Sequence, residues 1–348
     1  MGRRFALSCS TIVIAALLIL DCGRLQAAQV APKSARSALT KVRISQSAVN
    51  NRSAVLWIAE SQGIFAKNGI AVETIYLRSA TLQMAAMATG EVQFASSGGA
   101  PVLSAVAGGQ DLKIIASSVN RLSYDLVVRP EVKEAKDLRG KRLGVTNMGG
   151  TTWMAAILAL EHLGLDYQRD QVHLNALGNQ TILAQAIEAG NIDATLLDPF
   201  LSRRLRQKGL GILIELSRAK IPFVNTSLIA GGAYLKEHGD IAENVLKSML
   251  EAQAFIGMPA NKNVVLQTIG RQMKISDQST LEEGYQDLQV GFERKPNPSI
   301  EGLRNIQRMM SGLNPKVARV RAEDIIENRF VRKLDESGYI DSLFAKGN

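Results

Sequence analysis

A regular exchange of short apolar strands with amphipathic helices runs twice along this chain, and it restricts the possible folds more than any other feature. Val42–Ser47 reads as a strand, Ser53–Gln62 as a helix closed near Gly63, Ala71–Leu77 as a strand, and Thr81–Thr89 as a helix stopped by Gly90. Val92–Ala95 is a further strand, and the glycine-rich stretch from Ser96 to Pro101 opens another helix. Lys113–Val119 and Asp125–Arg129 read as strands. The order then starts again, with strands at Arg142–Thr146, Val172–Leu177 and Ala194–Leu197 and helices at Thr151–Leu163 and Ile182–Ala189 between them. Beyond Pro259 the pattern is mainly helical. Such alternation implies an α/β protein with mixed sheets flanked by helices, and two blocks in series imply two lobes.

The N-terminus carries a different signal. Arg3 and Arg4 precede the apolar run Thr11–Leu20, and small residues surround Ala27 and Ala28. A basic start, a short apolar stretch and small residues form a secretory signal peptide, expected over residues 1–28, which places the mature protein in the periplasm. The run is too short for a comfortable membrane span, which takes about 20 apolar residues. Cys22 would suit a lipid anchor, but Asp21 stands where such a signal wants a small residue. Both cysteines, Cys9 and Cys22, fall within this segment. The mature chain then has no disulfide, no thiolate metal site and no cysteine nucleophile. The three histidines, His162, His173 and His238, are scattered without metal-ligand spacing, so no metal and no cofactor are expected.

The remaining chain suits two lobes better than one core. The formal net charge of +9 is spread along the chain, and no basic stripe is interleaved with aromatics, which excludes a dedicated nucleic-acid face. No Gly-x-x-x-x-Gly-Lys-Ser/Thr or Gly-x-Gly-x-x-Gly spacing is present, so neither a phosphate loop nor a dinucleotide fold is expected.

In open α/β sheets, ligands bind outside the carboxyl ends of strands, where helix starts offer unpaired N–H groups. Two segments fit that position: Ser96–Gly99 in the first block and Asn147–Trp153 in the second. Each alone is also an ordinary capped turn; their matching placement in two blocks points to one cleft. The candidate ligand-binding residues are therefore Asn51 after the first strand, Ser97 and Gly98 at the first helix start, and Asn120 after the fourth strand. From the second block come Gly150, Thr151 and Thr152. Trp153 is placed with them, although a core position suits it equally. Arg52 is a candidate partner for an acidic group, against the alternative of a solvated surface arginine. Asp198 either receives a cationic nitrogen or caps the helix beginning at Pro199, and the cap is the expected role.

Four motifs carry a resemblance. Ala59, Gly63, Phe65 and Gly69 form an A-x-x-x-G-x-F-x-x-x-G pattern, followed in order by Ala88–Phe94, by the Asp137–Val145 stretch of D-L-x-G-K-x-x-G-V type, and by Ala189–Ala194 with Asp198 and Pro199. Together, over residues 41 to 260, they resemble the nitrate/sulfonate/taurine-type family of ABC-transporter solute-binding proteins, which is related to binders of a thiamine pyrimidine precursor. Gln93 departs from the pattern, standing where many relatives carry an acid. The resemblance implies a type II-like periplasmic-binding-protein fold: two α/β lobes with a ligand cleft between them, and hinge closure around the solute. Lobe I is expected over 41–130 and 234–348 and lobe II over 131–233, with crossings near Pro130–Glu131 and Gly231–Gly232. The implied function is capture of a small anionic organic solute, of sulfonate, nitrate or carboxylate type, by a monomer that delivers it to a permease in the inner membrane. The alternatives are an enzyme of the same superfamily, performing thiamine-precursor synthesis or carbon–sulfur cleavage, and a ligand sensor for a membrane receptor. The missing thiol and the isolated histidines favour a binder over an enzyme.

Overall fold

The computed structural model describes residues 39–47 and 49–345. The signal-peptide expectation over residues 1–28 lies outside them. No helix among the described residues is long and apolar enough to cross a membrane.

Among the described residues, ten strands form two five-stranded sheets. The first sheet contains β1 (Thr40–Gln46), β2 (Ile70–Tyr76), β3 (Phe94–Ser97) and β4 (Leu112–Arg121). The second contains β5 (Asp125–Val128), β6 (Arg142–Val145), β7 (His173–Ala176), β8 (Ala194–Leu197) and β9 (Gly211–Glu215), and β10 (Pro222–Gly231) returns to the first. The strand orders are β2-β1-β3-β10-β4 and β7-β6-β8-β5-β9. In each, three parallel strands are followed by an antiparallel pair. The two blocks of the sequence therefore build the same half-sheet twice.

The crossings differ from the expected ones. β5, assigned to the first lobe from its position in the chain, pairs antiparallel with β8 and β9 of the second sheet. β10, assigned to the second lobe, pairs with β3 and β4 of the first. The chain thus passes between sheets in the short segment between β4 and β5, and returns between β9 and β10, not at Pro130–Glu131 and Gly231–Gly232. β9 and β10 lie outside the strands expected from the sequence. Strand pairing is non-local, so an apolar run tells that a strand exists but not which sheet accepts it.

The helices follow from apolar faces and caps. In the first block α1 (Ala54–Ser61) and α2 (Ile64–Lys67) follow β1, α3 (Ala80–Ala88) follows β2, and α4 (Gly99–Ala107) follows β3. In the second, α5 (Thr151–His162), α6 (Gln180–Glu188) and α7 (Pro199–Gln207) take the corresponding places, with α8 (Leu216–Ala219) in the return crossing. The α5 start follows the first strand of its block and the α4 start the third of its own, so the two helix starts do not hold the matching places expected of them. Trp57 of α1 is buried with Val42, Ile44 and Phe65, as its helix position implies. The C-terminal helices α9 (Gly232–Glu237), α10 (Gly239–Gly257), α11 (Lys262–Met273) and α12 (Gln278–Gly291) bury an apolar face on that same core. α13 (Ile300–Ser311) instead packs Leu303 and Ile306 against α4 and β10.

The resembling motifs have local physical roles. Gly90 and Gly190 occupy equivalent turns and both adopt positive φ, +75° and +77°, a conformation that penalises a Cβ. The residue three positions after each ties down the first strand of its block. Asp193 accepts from the Arg142 N–H at 2.9 Å, and Gln93 accepts from the Arg43 N–H at 2.9 Å. The departure at Gln93 is therefore conservative in function: an amide oxygen replaces a carboxylate oxygen as the acceptor.

Candidate functional site

The carboxyl ends of the parallel strands face one another across a cleft. Its floor is a cavity of about 230 Å³ lined by strand residues of the first sheet, such as Gln46, Ser97 and Asn225, and by Thr151, Gln180 and Asp198 beyond the strand ends of the second, and it opens into a wider mouth of about 1000 Å³. The starts of α3, α4, α5 and α6 all line this space. The outer two are capped by side chains: Ser79 accepts from the Leu82 N–H, and Asn179 from the Ile182 N–H. The inner two, α4 and α5, have glycine caps and no side-chain cap bond. Gly98 and Gly150 share almost the same backbone angles, φ −85° with ψ 172° and 175°. Two helix starts with uncapped N–H groups therefore meet at one cleft, an arrangement that favours an anion or other acceptor.

A polar network crosses the floor from one sheet to the other. Arg52 donates through Nη1 to Ser123 Oγ at 2.9 Å and through Nη2 to Asp198 Oδ1 at 3.2 Å. Gln180 holds Asp198 in place: its Nε2 donates to Asp198 Oδ2 at 2.8 Å, and its Oε1 accepts from the Asp198 N–H at 2.8 Å. On the other side Asn225 Nδ2 donates to Ser123 Oγ at 2.9 Å. Burial works against the Arg52 charge, but its acidic neighbours, Asp198 foremost, together outweigh it and the guanidinium pKa lies above its ordinary value. Burial, aided by the Asp198 charge, pushes the Tyr124 phenol up to about 12, so Tyr124 stays neutral beside the pair.

The lobes are tied again on either side of this floor. Arg203 of α7 reaches Glu283 at 2.6 Å and Asp287 at 2.5 Å, both on α12. Arg308 of α13 makes a bidentate pair with Glu161 of α5, at 2.8 and 2.7 Å.

The candidate residues divide clearly. Ser97, Gly98, Arg52, Thr151 and Asp198 line the floor, and Gly150, Thr151 and Thr152 line the mouth. Asp198 precedes α7 but makes no side-chain cap bond; it serves the floor network rather than the expected cap, because Gln180 and Arg52 occupy both of its oxygens. Thr152 Oγ1 accepts from the Thr146 N–H at 2.8 Å and is 3% exposed, so it fastens the turn and leaves Thr151 to face the cleft. Three expectations place residues elsewhere. Asn51 faces a separate cavity on the α12 side and donates to Gly284 O. Asn120 is used by the C-terminal segment, donating to Asn297 O at 2.7 Å and accepting from the Ser299 N–H at 3.1 Å. Trp153 is 4% exposed within the core, because α5 is buried on nearly every face beyond its first residue.

Gln46, Tyr124, Gln180, Asn225 and Met310 also line the cleft and were missed. Gln46 had a legible signal: Val42, Ile44 and Gln46 share one strand face, and the apolar row turns polar at the strand's end. Asn225 lies on β10, outside the strands expected from the sequence. No cluster of His, Cys, Asp and Glu suited to a metal occurs among the described residues.

Beside the floor, Asp125 is 4% exposed and accepts from Ser202 Oγ. Burial pushes its carboxyl up to about 6, although the Ser202 bond works the other way. An unfolded aspartate titrates near about 4, so the folded protein holds the extra proton between those values. Its stability contribution should therefore fall as pH rises from about 4 to about 6. Melting curves across that range should show the decline in the parent protein and a flatter profile in Asp125→Asn.

A model of the family described as NMT1/THI5 like matches residues 50–259. No curated protein matches the chain by sequence. Among solved structures, the chain is similar to the periplasmic aliphatic sulphonate binding protein SsuA from Escherichia coli, with 18% identity, 83% of this chain and 92% of that chain covered, and a TM-score of 0.67. The periplasmic nitrate-binding protein NrtA from Synechocystis PCC 6803 is similar at 14% identity, with 86% and 89% covered and a TM-score of 0.61. The desulfurization enzyme DSZB is similar at 14% identity, with 86% and 99% covered and a TM-score of 0.61. At these identities the likeness concerns the fold: two lobes, each a mixed sheet flanked by helices.

Proposed function

Because the chain belongs to the NMT1/THI5-like family, we propose that it is an extracytoplasmic solute-binding protein that captures a small anionic organic solute and passes it to an ABC permease. The observation that carries this reading is the pair of glycine-capped helix starts, α4 and α5, aimed into one cleft from opposite lobes. A sulfonate or carboxylate held there would accept backbone N–H bonds from both lobes and so favour their closed arrangement. Arg52 adds a buried guanidinium suited to a bidentate acidic group. The lobes follow the sheets, and the segments between β4 and β5 and between β9 and β10 act as the hinge. The protein works as a monomer and returns its solute chemically unchanged.

The test is a thermal-shift screen of nitrate, alkyl sulfonates, aromatic carboxylates and pyrimidines, followed by calorimetric titration of the solutes that raise Tm. Thr151→Ala should bind the anion about 10- to 150-fold more weakly while melting like the parent, because one hydrogen bond to a charged partner is worth about 1.5–3 kcal/mol. Unchanged affinity in that variant would place the site elsewhere. Export has its own check: protein recovered from the periplasm should begin near residues 28 to 32, and an intact Met1 there would contradict a cleaved signal.

A further inference from the structure

We infer that Gln46 selects the solute by accepting a hydrogen bond, so that the preferred ligand is an organic anion that also carries a hydroxyl or N–H donor. This rests on the solute-binding reading above and makes it more specific. Gln46 is the last residue of β1, hydrogen-bonded between β2 and β3 in the middle of the parallel half-sheet. That places it at the carboxyl end of a strand, on the floor of the cleft. It is 7% exposed, and its Oε1 is buried with no hydrogen-bond partner.

A buried acceptor without a partner is costly, and folded proteins satisfy nearly all of them. Here the residue continues the Val42–Ile44 row, where an apolar side chain would have packed without that cost. Among the residues that line the floor, Gln46 is the one whose side chain holds a buried polar atom without a partner. The N–H groups at the starts of α4 and α5 donate, as does Arg52. The acceptors of the floor network are engaged: Ser123 Oγ receives bonds from Arg52 and Asn225, Gln180 Oε1 receives one from the Asp198 N–H, and the two Asp198 oxygens receive one each from Arg52 and Gln180. An anion alone would satisfy the donors and leave Gln46 as it is. A solute with a donor beside its anionic group satisfies both. A site built around a buried polar group rejects the analogue that cannot pair it far more strongly than it rejects a change of size.

Two matched pairs of probes isolate this effect. Isethionate and propane-1-sulfonate differ by a hydroxyl in place of a methyl group, as do 4-hydroxybenzoate and 4-methylbenzoate. In calorimetric titrations the hydroxylated member of at least one pair should bind about tenfold or more tightly to the parent. In Gln46→Met, nearly the same shape without the amide, that preference should vanish or reverse. The ligand-free variant should melt at or above the parent's Tm, because it no longer buries an unpaired acceptor. Anion binding with no hydroxyl preference in the parent, or a preference that persists in Gln46→Met, overturns the inference and leaves the solute-binding reading standing. A ligand-free Tm below the parent's also overturns it, since the amide would then be paired within the fold. Failure of every anion in the wider screen to bind overturns both.

Discussion

Arg52→Met should lower stability by about 3 kcal/mol and weaken anion binding by about a hundredfold or more. The stability loss comes from Asp198. Its side chain is 22% exposed and that of Arg52 14%, so the pair is mostly removed from water. Removing one partner of a buried pair typically costs about 3–5 kcal/mol, because the remaining charge stays buried without compensation; partial exposure of Asp198 puts the expectation at the low end. The affinity loss has a separate origin, a lost charge-assisted bond together with uncompensated negative charge on the cleft floor. The double variant Arg52→Met with Asp198→Asn separates the two. It should recover most of the stability, since no lone charge remains and the introduced amide keeps an acceptor oxygen for the Gln180 Nε2–H. It should still bind anions poorly. Chemical denaturation and calorimetry on the three proteins check this. Recovered affinity in the double variant would show that Arg52 matters only as a counter-charge to Asp198.

Gly302→Val should destabilise the protein by about 3 kcal/mol or more. A Cβ at residue 302 would stand 2.8, 2.9 and 3.0 Å from the backbone N, Cα and C of Phe223, in the buried strand β10. Backbone cannot rotate away, so α13 must move off the sheet. Its side chains Leu303 and Ile306 meet the α4 start at Gly99, and Leu313 beyond its end abuts Gly149 in the turn before α5. Displacing α13 therefore loosens its packing on α4 and disturbs both glycine-rich turns at once. Overpacking alone costs about 1–3 kcal/mol, and the added β-branch and lost burial raise it. Gly284→Ala is the control. It lies within α12, with nothing inside 4 Å of the added Cβ. Alanine there should be neutral or stabilising by about 0.5–1 kcal/mol, the ordinary helix preference. Similar losses in both variants would mean that the close approach to Phe223 is not what demands glycine at residue 302.

The amino-acid sequence by itself determined the elements and their order. Period-two apolar runs mark β1, β2 and β6, and helical periodicity with glycine stops marks α1, α3 and α5, because these signals arise within a few residues of the chain. It also indicated the two glycine-capped helix starts, since an uncapped start at the end of a strand is written locally in Ser96–Gly99 and Asn147–Thr151. What only the tertiary structure decided was partnership. β5 and β10 exchange sheets because strand pairing is set by distant backbone edges, and this moved both crossings. Asn120 looked as suitable for the cleft as Thr151, but it is taken up by a loop more than a hundred residues later in the chain. Asp198 looked like a helix cap until the fold brought Arg52 and Gln180 within hydrogen-bonding distance of it. Trp153 turned inward because α5 is buried on nearly every face, which its own apolar pattern could not distinguish from a half-exposed helix. Local propensity is a property of neighbours in sequence; the occupancy of a hydrogen-bonding group depends on neighbours in space, and only the folded chain supplies those.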